Sequence, residues 1–443
     1  MSAFSDIITA LKQRIKSSDI ATRMASGAFW SLTGTAVAKA LVMLAGILCA
    51  RILSKEIYGQ YGMVKTTIST FMALGGAGLG LAATKYISEY RQNHPDRISS
   101  IYYVTNGFAL LMSLVVTVLL YALADVIAGN LLKAPSLAPT LRLASFILIF
   151  VVVNIAQEGV IAGFEDFKSK SIATFIGGVL QAFSLLAGAY YWGLQGAICG
   201  YGIGFVFISV MYRYYIVKNM RKHAVKLDWR KVKRSDFNLL HKFVIPAALS
   251  SIMIVPTYFV IRILLKRFVD FEAMADYDVG DQLRLLIMFV PASVSHIVLP
   301  ILSSLNNEVN KFWKVLNASM LLNGATALLM AVLVMLCSSF IVNFYGANYN
   351  DPWPLVLLSA SCVFTAVAEV LGKSIASLAH LWTSFLLNVV WAAIAIGLSY
   401  LFLSMGMGAT GAALAILLSY VEHVVIQYVY IRFVYKNNID SVS

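Results

Sequence analysis

The sequence predicts an all-α, polytopic membrane protein of about twelve transmembrane helices in two six-helix lobes. Composition argues for it first: 60% of the 443 residues are hydrophobic and only 12% are charged, whereas about a quarter of a soluble domain is charged. The apolar windows argue for it next, since their number and length fit about twelve spans of roughly 20 residues each. A weak internal repeat then divides the spans into two sets of six. Little chain is left over, so a large soluble catalytic domain and intrinsic disorder are both excluded.

Residues 1–23 precede the first span. Phe4, Ile7, Ile8, Leu11 and Ile15 fall at helical spacing opposite Lys12 and Lys16, the pattern of a short amphipathic helix lying on the membrane surface. The segment lacks the 7 to 15 residue apolar stretch of a cleavable signal, so the first span is expected to act as its own targeting signal.

Six spans follow, over 28–50, 60–84, 101–123, 139–163, 172–191 and 194–217. They make an N-terminal lobe, 24–217, whose last two spans are divided at Trp192-Gly-Leu-Gln-Gly196. A basic linker, 218–243, leads to spans at 244–267, 281–303, 315–341, 354–377, 382–403 and 409–433. These form the C-terminal lobe, 244–433, and 434–443 is a short tail.

Lysine and arginine in short loops stay in the cytoplasm. Twelve spans with both termini inside place twenty-two of the 34 such residues on the inner side and five outside. Nine lie between Lys218 and Lys242, where each attracts anionic lipid by about 1 kcal/mol. The net charge of +13 is thus a signature of topology, and no nucleic-acid motif accompanies it. Cys49, Cys199, Cys337 and Cys362 sit singly in apolar runs without ligand spacing, so no disulfide, metal or cofactor is expected.

The repeat rests on two pairs of segments. Arg51-Ile-Leu-Ser-Lys55 closes the first span and Arg262-Ile-Leu-Leu-Lys266 the seventh; Gly193-Leu-Gln-Gly196-Ala197 opens the sixth and Gly408-Ala-Thr-Gly411-Ala412 the twelfth. Both matches fall at equivalent span ends. Six spans per half make the two repeats parallel, an arrangement that places a substrate path between them.

Charges inside spans carry the functional reading. Lys39 lies midway along the first span, where a lysine costs roughly 2.5 to 3.5 kcal/mol on insertion scales. Either it pairs with a carboxylate from another helix, such as Glu158, Glu369 or Glu422, or it faces a wet cavity and binds an anion. Arg262 lies in the seventh span; Arg142 and Arg284 lie near outer ends of the fourth and eighth, where snorkelling is an alternative. Lys65 and Arg213 read as interfacial anchors. Glu369 and Lys373, at i and i+4, can neutralise each other. Glu422 and His423 form a candidate proton-carrying pair, and His296 reads as a core histidine. Pro246, Pro256, Pro291 and Pro300 mark kinks in the seventh and eighth spans. Leu74-Gly-Gly-Ala-Gly-Leu-Gly80 has no strand before it and reads as close helix packing rather than a phosphate loop.

Phe29-Trp30-Ser-Leu-Thr-Gly34-Thr35, Lys39, Ala50-Arg51, Tyr58-Gly59 and Ala83-Thr84-Lys85-Tyr86 with Glu89 resemble the opening of Wzx-type oligosaccharide flippases. These are polysaccharide-biosynthesis transporters of the multidrug, oligosaccharidyl-lipid and polysaccharide exporter (MOP) superfamily, which has a MATE-like fold. Leu53-Ser-Lys-Glu56 departs from the Leu-Gly-Pro that often precedes the Glu and Tyr there.

The resemblance implies translocation of undecaprenyl-diphosphate-linked oligosaccharide across the bacterial inner membrane, by alternating access, for O-antigen, lipopolysaccharide, capsule or exopolysaccharide assembly. A polysaccharide polymerase and a chain-length regulator are the implied protein partners. The diphosphate needs cations: Lys39 and Arg262 lead, and Arg142 with Arg284 is a candidate outer pair. Glu422, His423, Glu158 and Glu369 are the candidates for ion coupling. The chain is read as a transporter and not an enzyme. A cation-coupled multidrug exporter is one alternative, which would favour intramembrane carboxylates. A membrane polymerase or ligase is another, with Asp276-Tyr-Asp278 and Asp281 as an acidic motif in an outer loop.

Overall fold

The computed structural model describes residues 37, 38, 40–237, 240, 244, 253–292, 295, 298, 302, 309–378 and 380–440. The amphipathic segment 1–23, Lys39, Pro246, His296, Pro300, residues 238–239 and 241–243 of the linker and the last three residues of the tail lie outside them. Among the described residues there is no strand.

The helices are α1 (Ala40–Ile52), α2 (Lys55–Gly76), α3 (Leu79–Asn93), α4 (Ile98–Asp125), α5 (Ala138–Ser145), α6 (Ile147–Gly163) and α7 (Phe167–Lys222) in the first half. The second half has α8 (Ile254–Phe268), α9 (Phe271–Ile287), α10 (Val309–Leu336), α11 (Ser338–Tyr345), α12 (Trp353–Ser377), α13 (Leu381–Ser404) and α14 (Gly408–Asp440). Among the described residues six helical stretches are long and apolar enough to cross a membrane, or eight when the bent pairs α2–α3 and α5–α6 are each one span. The fold is an all-α bundle of a polytopic membrane protein.

Helix α7 contains the predicted division. Gly193 takes φ 58°, ψ −136°, a conformation that only glycine adopts at little cost, and the chain doubles back there. The two arms, 167–192 and 194–222, then run antiparallel: Gly188 meets Gly196, Ser184 meets Gly200, Gln181 meets Gly204 and Gly177 meets Ile208. Without a hydrophobic drive in lipid, such small-residue contacts let backbones approach closely. Ser184 Oγ donates to Gly200 O at 2.9 Å and Gln181 Nε2 to Tyr201 O at 2.9 Å, tying the arms together. Gly408 opens α14 with φ +57°. It matches Gly193, so the sequence repeat has a conformational counterpart.

The glycine run at residues 75–80 also packs closely. The chain bends by 43° between α2 and α3, with Gly78 at φ 78°. A Cβ on Gly76 would meet the side chain of Ile155, and Gly159 lies directly against Gly80.

Two readings of the second half need correction. Pro256 sits in the first turn of α8, where no intrahelical N–H bond is lost, so it starts a helix instead of kinking one. The acidic motif is not in a loop. Asp270 caps α9 by accepting from Ala273 N at 2.8 Å, and Asp276, Asp278 and Asp281 are all helical.

α12 packs on α10 and α14, α13 on α14, α6 on α3, α4 and α7, and α2 crosses between the halves to lie on α8 and α9. Large apolar side chains such as Phe183, Leu321, Leu336 and Phe340 are exposed on the outer surfaces of the bundle, as a lipid-facing surface requires. Tyr190, Tyr191 and Trp192 are exposed beside the Gly193 turn, an aromatic cluster of the interfacial kind.

Candidate functional site

Ser54 sets where α2 begins. Its hydroxyl accepts from Ile57 N at 3.3 Å, and Glu56 complements the dipole in the first turn. Starting the helix at Lys55 places Lys65 ten residues in, about 15 Å from the helix end. Lys65 is therefore no interfacial anchor, and this corrects the sequence reading. Tyr61, Lys65 and Ser69 recur every four residues and so share one face of α2.

That face lines a cavity of about 450 Å³. Ala38, Val42, Met43 and Gly46 line it from the first span, Thr174, Gly178 and Gln181 from the first arm of α7, and Tyr201, Phe205 and Ile208 from the second. Gln282, Leu285 and Leu286 of α9 complete the wall from the second half, with Phe289 just beyond that helix. Among the described lining residues Lys65 alone carries a charge. Its ammonium lies 5.8 Å from the centre of the Tyr61 ring. Tyr201 stands edge-on to Tyr61 at 6.4 Å and to Phe205 at 5.2 Å. The cavity thus combines one cation, an aromatic corner and several neutral hydrogen-bonding groups.

The halves close together at the end of the bundle that carries Lys55 and Phe271. Lys55 Nζ lies 2.9 Å from Asp276 Oδ2 and donates to Asn348 O at 3.0 Å. Arg51 Nε donates to Phe344 O at 2.6 Å, with the guanidinium 4.6 Å from the ring centre. Gln282 Nε2 donates to Tyr58 Oη, and Tyr345 Oη donates to Gln282 Oε1 at 3.2 Å. Gly59 and Gly62 lie against Phe271 O and Asp278 Oδ2 with no room for a Cβ.

Behind this seam sits a buried ion network. Arg262 is 3% exposed; its Nε and Nη2 donate to Asp278 Oδ1 at 3.0 and 2.6 Å, and Nη2 to Asp281 Oδ2 at 2.9 Å. Arg284 Nε donates to Asp281 Oδ1 at 2.9 Å, and its Nη1 to Tyr258 Oη. The two arginines expected to bind substrate are brought together, but through shared carboxylates that compensate their charge. Desolvated charges persist when paired and hydrogen-bonded in this way.

Arg142 and Arg284 do not form an outer pair. Arg142 is bonded to Asp125 on the exposed surface and is absent from the described cavity lining. Lys39 lies outside the described residues. Glu158 pairs with Lys170 at 2.6 Å, and Glu369 is half-buried on α12. Glu422 and His423 do not bond each other. His423 Nε2 is 3.0 Å from Gln427 Nε2, beside the Trp391 and Tyr420 rings, whereas both Glu422 carboxylate oxygens are buried without a hydrogen-bond partner.

The described helices form a membrane bundle with a seam and a cavity between its halves, and comparison with known proteins gives it a family. The sequence pattern of the polysaccharide biosynthesis proteins matches residues 24–306. The chain belongs to that family. It is 26% identical over 204 residues to the EPS I polysaccharide export inner membrane protein EpsE of Ralstonia solanacearum, a match spanning 43% of this chain and 45% of that relative. It is 21% identical over 292 residues to the lipid III flippase of Escherichia coli K12, spanning 64% and 68%. The chain therefore covers about half the length of the first relative and two thirds of the second. A multidrug resistance MATE family transporter of the MOP superfamily, solved in an inward-facing conformation, superposes with a TM-score of 0.80 at 14% identity, covering 94% of this chain and all of that one. The fold of this family member is MATE-like.

Proposed function

We propose that this chain is a flippase that carries undecaprenyl-diphosphate-linked oligosaccharide from the inner to the outer leaflet of the bacterial inner membrane. The carrying observation is Lys65, a half-buried cation facing a cavity between two halves that are sealed at one end. A sugar hydroxyl transferred unpaired into hydrocarbon costs about 4 to 8 kcal/mol, so unaided crossing is prohibitive. Ser69, Thr174, Gln181 and Gln282 offer replacement hydrogen bonds, and Lys65 compensates the diphosphate. The prenyl tail stays in lipid. Lys39 is the second diphosphate candidate, while Arg262 and Arg284 act by holding the carboxylates of α9.

The positive-inside rule puts both termini in the cytoplasm and the Lys55 end outside. The cavity then receives substrate from the cytoplasm while the Lys55–Asp276 seam is shut. Alternating access is the exchange of that seam for one at the other end, between lobes 24–217 and 244–433. O-antigen, capsule or exopolysaccharide assembly is the process served, with a polymerase and a chain-length regulator acting on the delivered unit. Glu422, with its unpartnered carboxylate, is the leading candidate for ion coupling, with His423 beside it. Lys65 fits an anionic headgroup better than the cationic substrate of a drug exporter.

The test is deletion of the gene followed by analysis of lipid-linked intermediates. Completed units accumulate on the cytoplasmic leaflet; Lys65→Arg restores export, and Lys65→Ala does not although the protein still inserts. Full export by Lys65→Ala would remove the site, and cationic-dye export that is independent of the sugar pathway would favour the exporter.

A further inference from the structure

We infer that the sugar residues bound next to the diphosphate are neutral, and that the first of them packs on the aromatic corner of Tyr61, Tyr201 and Phe205. The inference rests on the flippase reading and adds the chemical class of the sugar.

The argument begins with charge. Arg262 and Arg284 are matched by Asp278 and Asp281 through bonds of 2.6 to 3.0 Å, so that quartet offers the cavity no net charge. Lys65 is the cation left on the described wall. A diphosphate diester carries one negative charge on each phosphate. Even with Lys39 counted as a ligand, the lysines at most balance the diphosphate and leave nothing for a sugar carboxylate.

The field behind Lys65 works in the same direction. Asp278 and Asp281 are close enough to feel its charge, and Asp278 Oδ2 is buried without a hydrogen-bond partner. A uronate brought into this corner would surrender hydration without gaining a counter-ion, because Asp278 and Asp281 already draw on the cations there.

The rest of the wall suits a neutral pyranose. Such a ring presents hydroxyls at its edge and C–H groups on its faces. Gln181, Gln282, Thr174 and Ser69 supply uncharged polar groups, while Tyr61, Tyr201 and Phe205 supply apolar rings, the two tyrosines with phenolic handles. The aromatic groups come from α2 and from the second arm of α7, both in the first half, so the corner stays with that half when the Lys55–Asp276 seam opens or closes.

Binding to the purified full chain in nanodiscs tests the inference with three lipids: bare polyprenyl diphosphate, the same lipid bearing a disaccharide whose diphosphate-linked residue is glucose, and one in which that residue is glucuronate. The glucose lipid binds at least about tenfold more tightly than the glucuronate lipid. Ser69→Lys, one turn from Lys65, narrows that gap. Tyr201→Leu lowers glucose-lipid affinity towards that of the bare diphosphate, and Tyr201→Phe retains it. Equal or tighter binding of the glucuronate lipid, with the bare diphosphate still bound in a Lys65-dependent way, overturns the inference alone. Failure of all three lipids to bind overturns the flippase reading and the inference with it.

Discussion

Gly62 of α2 touches the Asp278 carboxylate of α9 so closely that a Cβ would overlap Oδ2, and one turn away Gly59 meets Phe271 O in the same manner. The seam between the halves is therefore a glycine face laid against a helix. Gly62→Ala and Gly59→Ala should each cost about 1 to 3 kcal/mol of closed-state stability by overpacking, favouring separation at this end. Cys49 is buried near Tyr58 and Tyr61 and is a native reporter once Cys199, Cys337 and Cys362 are replaced by serine. Its labelling by a membrane-impermeant maleimide should rise in both glycine variants. Unchanged labelling together with normal transport would show that the seam does not control access.

The Lys55–Asp276 pair is the charged part of the same seam, with the Lys55 ammonium 5.1 Å from the Tyr349 ring centre. Both side chains are largely buried, so removing Lys55 strands a carboxylate at a cost of about 1 to 3 kcal/mol. Lys55→Glu and Asp276→Lys should each lower transport, and the double exchange should recover a good part of it. A double variant no better than the worse single one would mean that the pair is not the latch.

Much of the fold was legible because the apolar windows and the Gly193 and Gly408 segments report lipid exposure and helix reversal directly. The site was less so. Hydropathy places the second span at residue 60, but the Ser54 cap starts α2 at Lys55, and that shift carries Lys65 from an edge to the middle. Asp276, Asp278 and Asp281 lowered the hydropathy of α9 as though they faced water in a loop, although they are helical and their charges are met by Lys55, Arg262 and Arg284. Side-chain pairing across 16 or 19 residues, as for Arg262, leaves no periodic mark in a sequence.

That pairing makes a strong prediction for Arg262. Arg262→Met leaves Asp278 and Asp281 buried with one arginine between them, and breaking a buried pair this way costs about 3 to 5 kcal/mol. The variant should melt at a much lower temperature in detergent. Arg262→Met combined with Asp278→Asn should regain much of the loss, because the uncompensated charge is gone. Arg262→Met with an unchanged melting temperature would contradict the bonded network.

The linker between the halves carries its own attachment outside the membrane. Asp236 accepts from Arg97 and Ser100 at the start of α4 and, at 2.9 Å, from Lys233 N, while Ser99 Oγ accepts from Asp228 N at 2.8 Å. Burial pushes the Asp236 carboxyl up, but the bonds from Ser100, Lys233 and Arg97 outweigh it and hold the group below its ordinary range. A depressed carboxyl stabilises the folded linker above its unfolded value, about 3.9, and that contribution is lost as pH falls below this value towards the folded one. Hydrogen exchange over residues 226–237 should therefore stay slow from neutral pH down to about 4, once corrected for its intrinsic pH dependence, and accelerate below. Asp236→Asn should already exchange faster at neutral pH. Equal protection in the wild-type chain and Asp236→Asn would show that the linker is held by contacts other than this carboxylate.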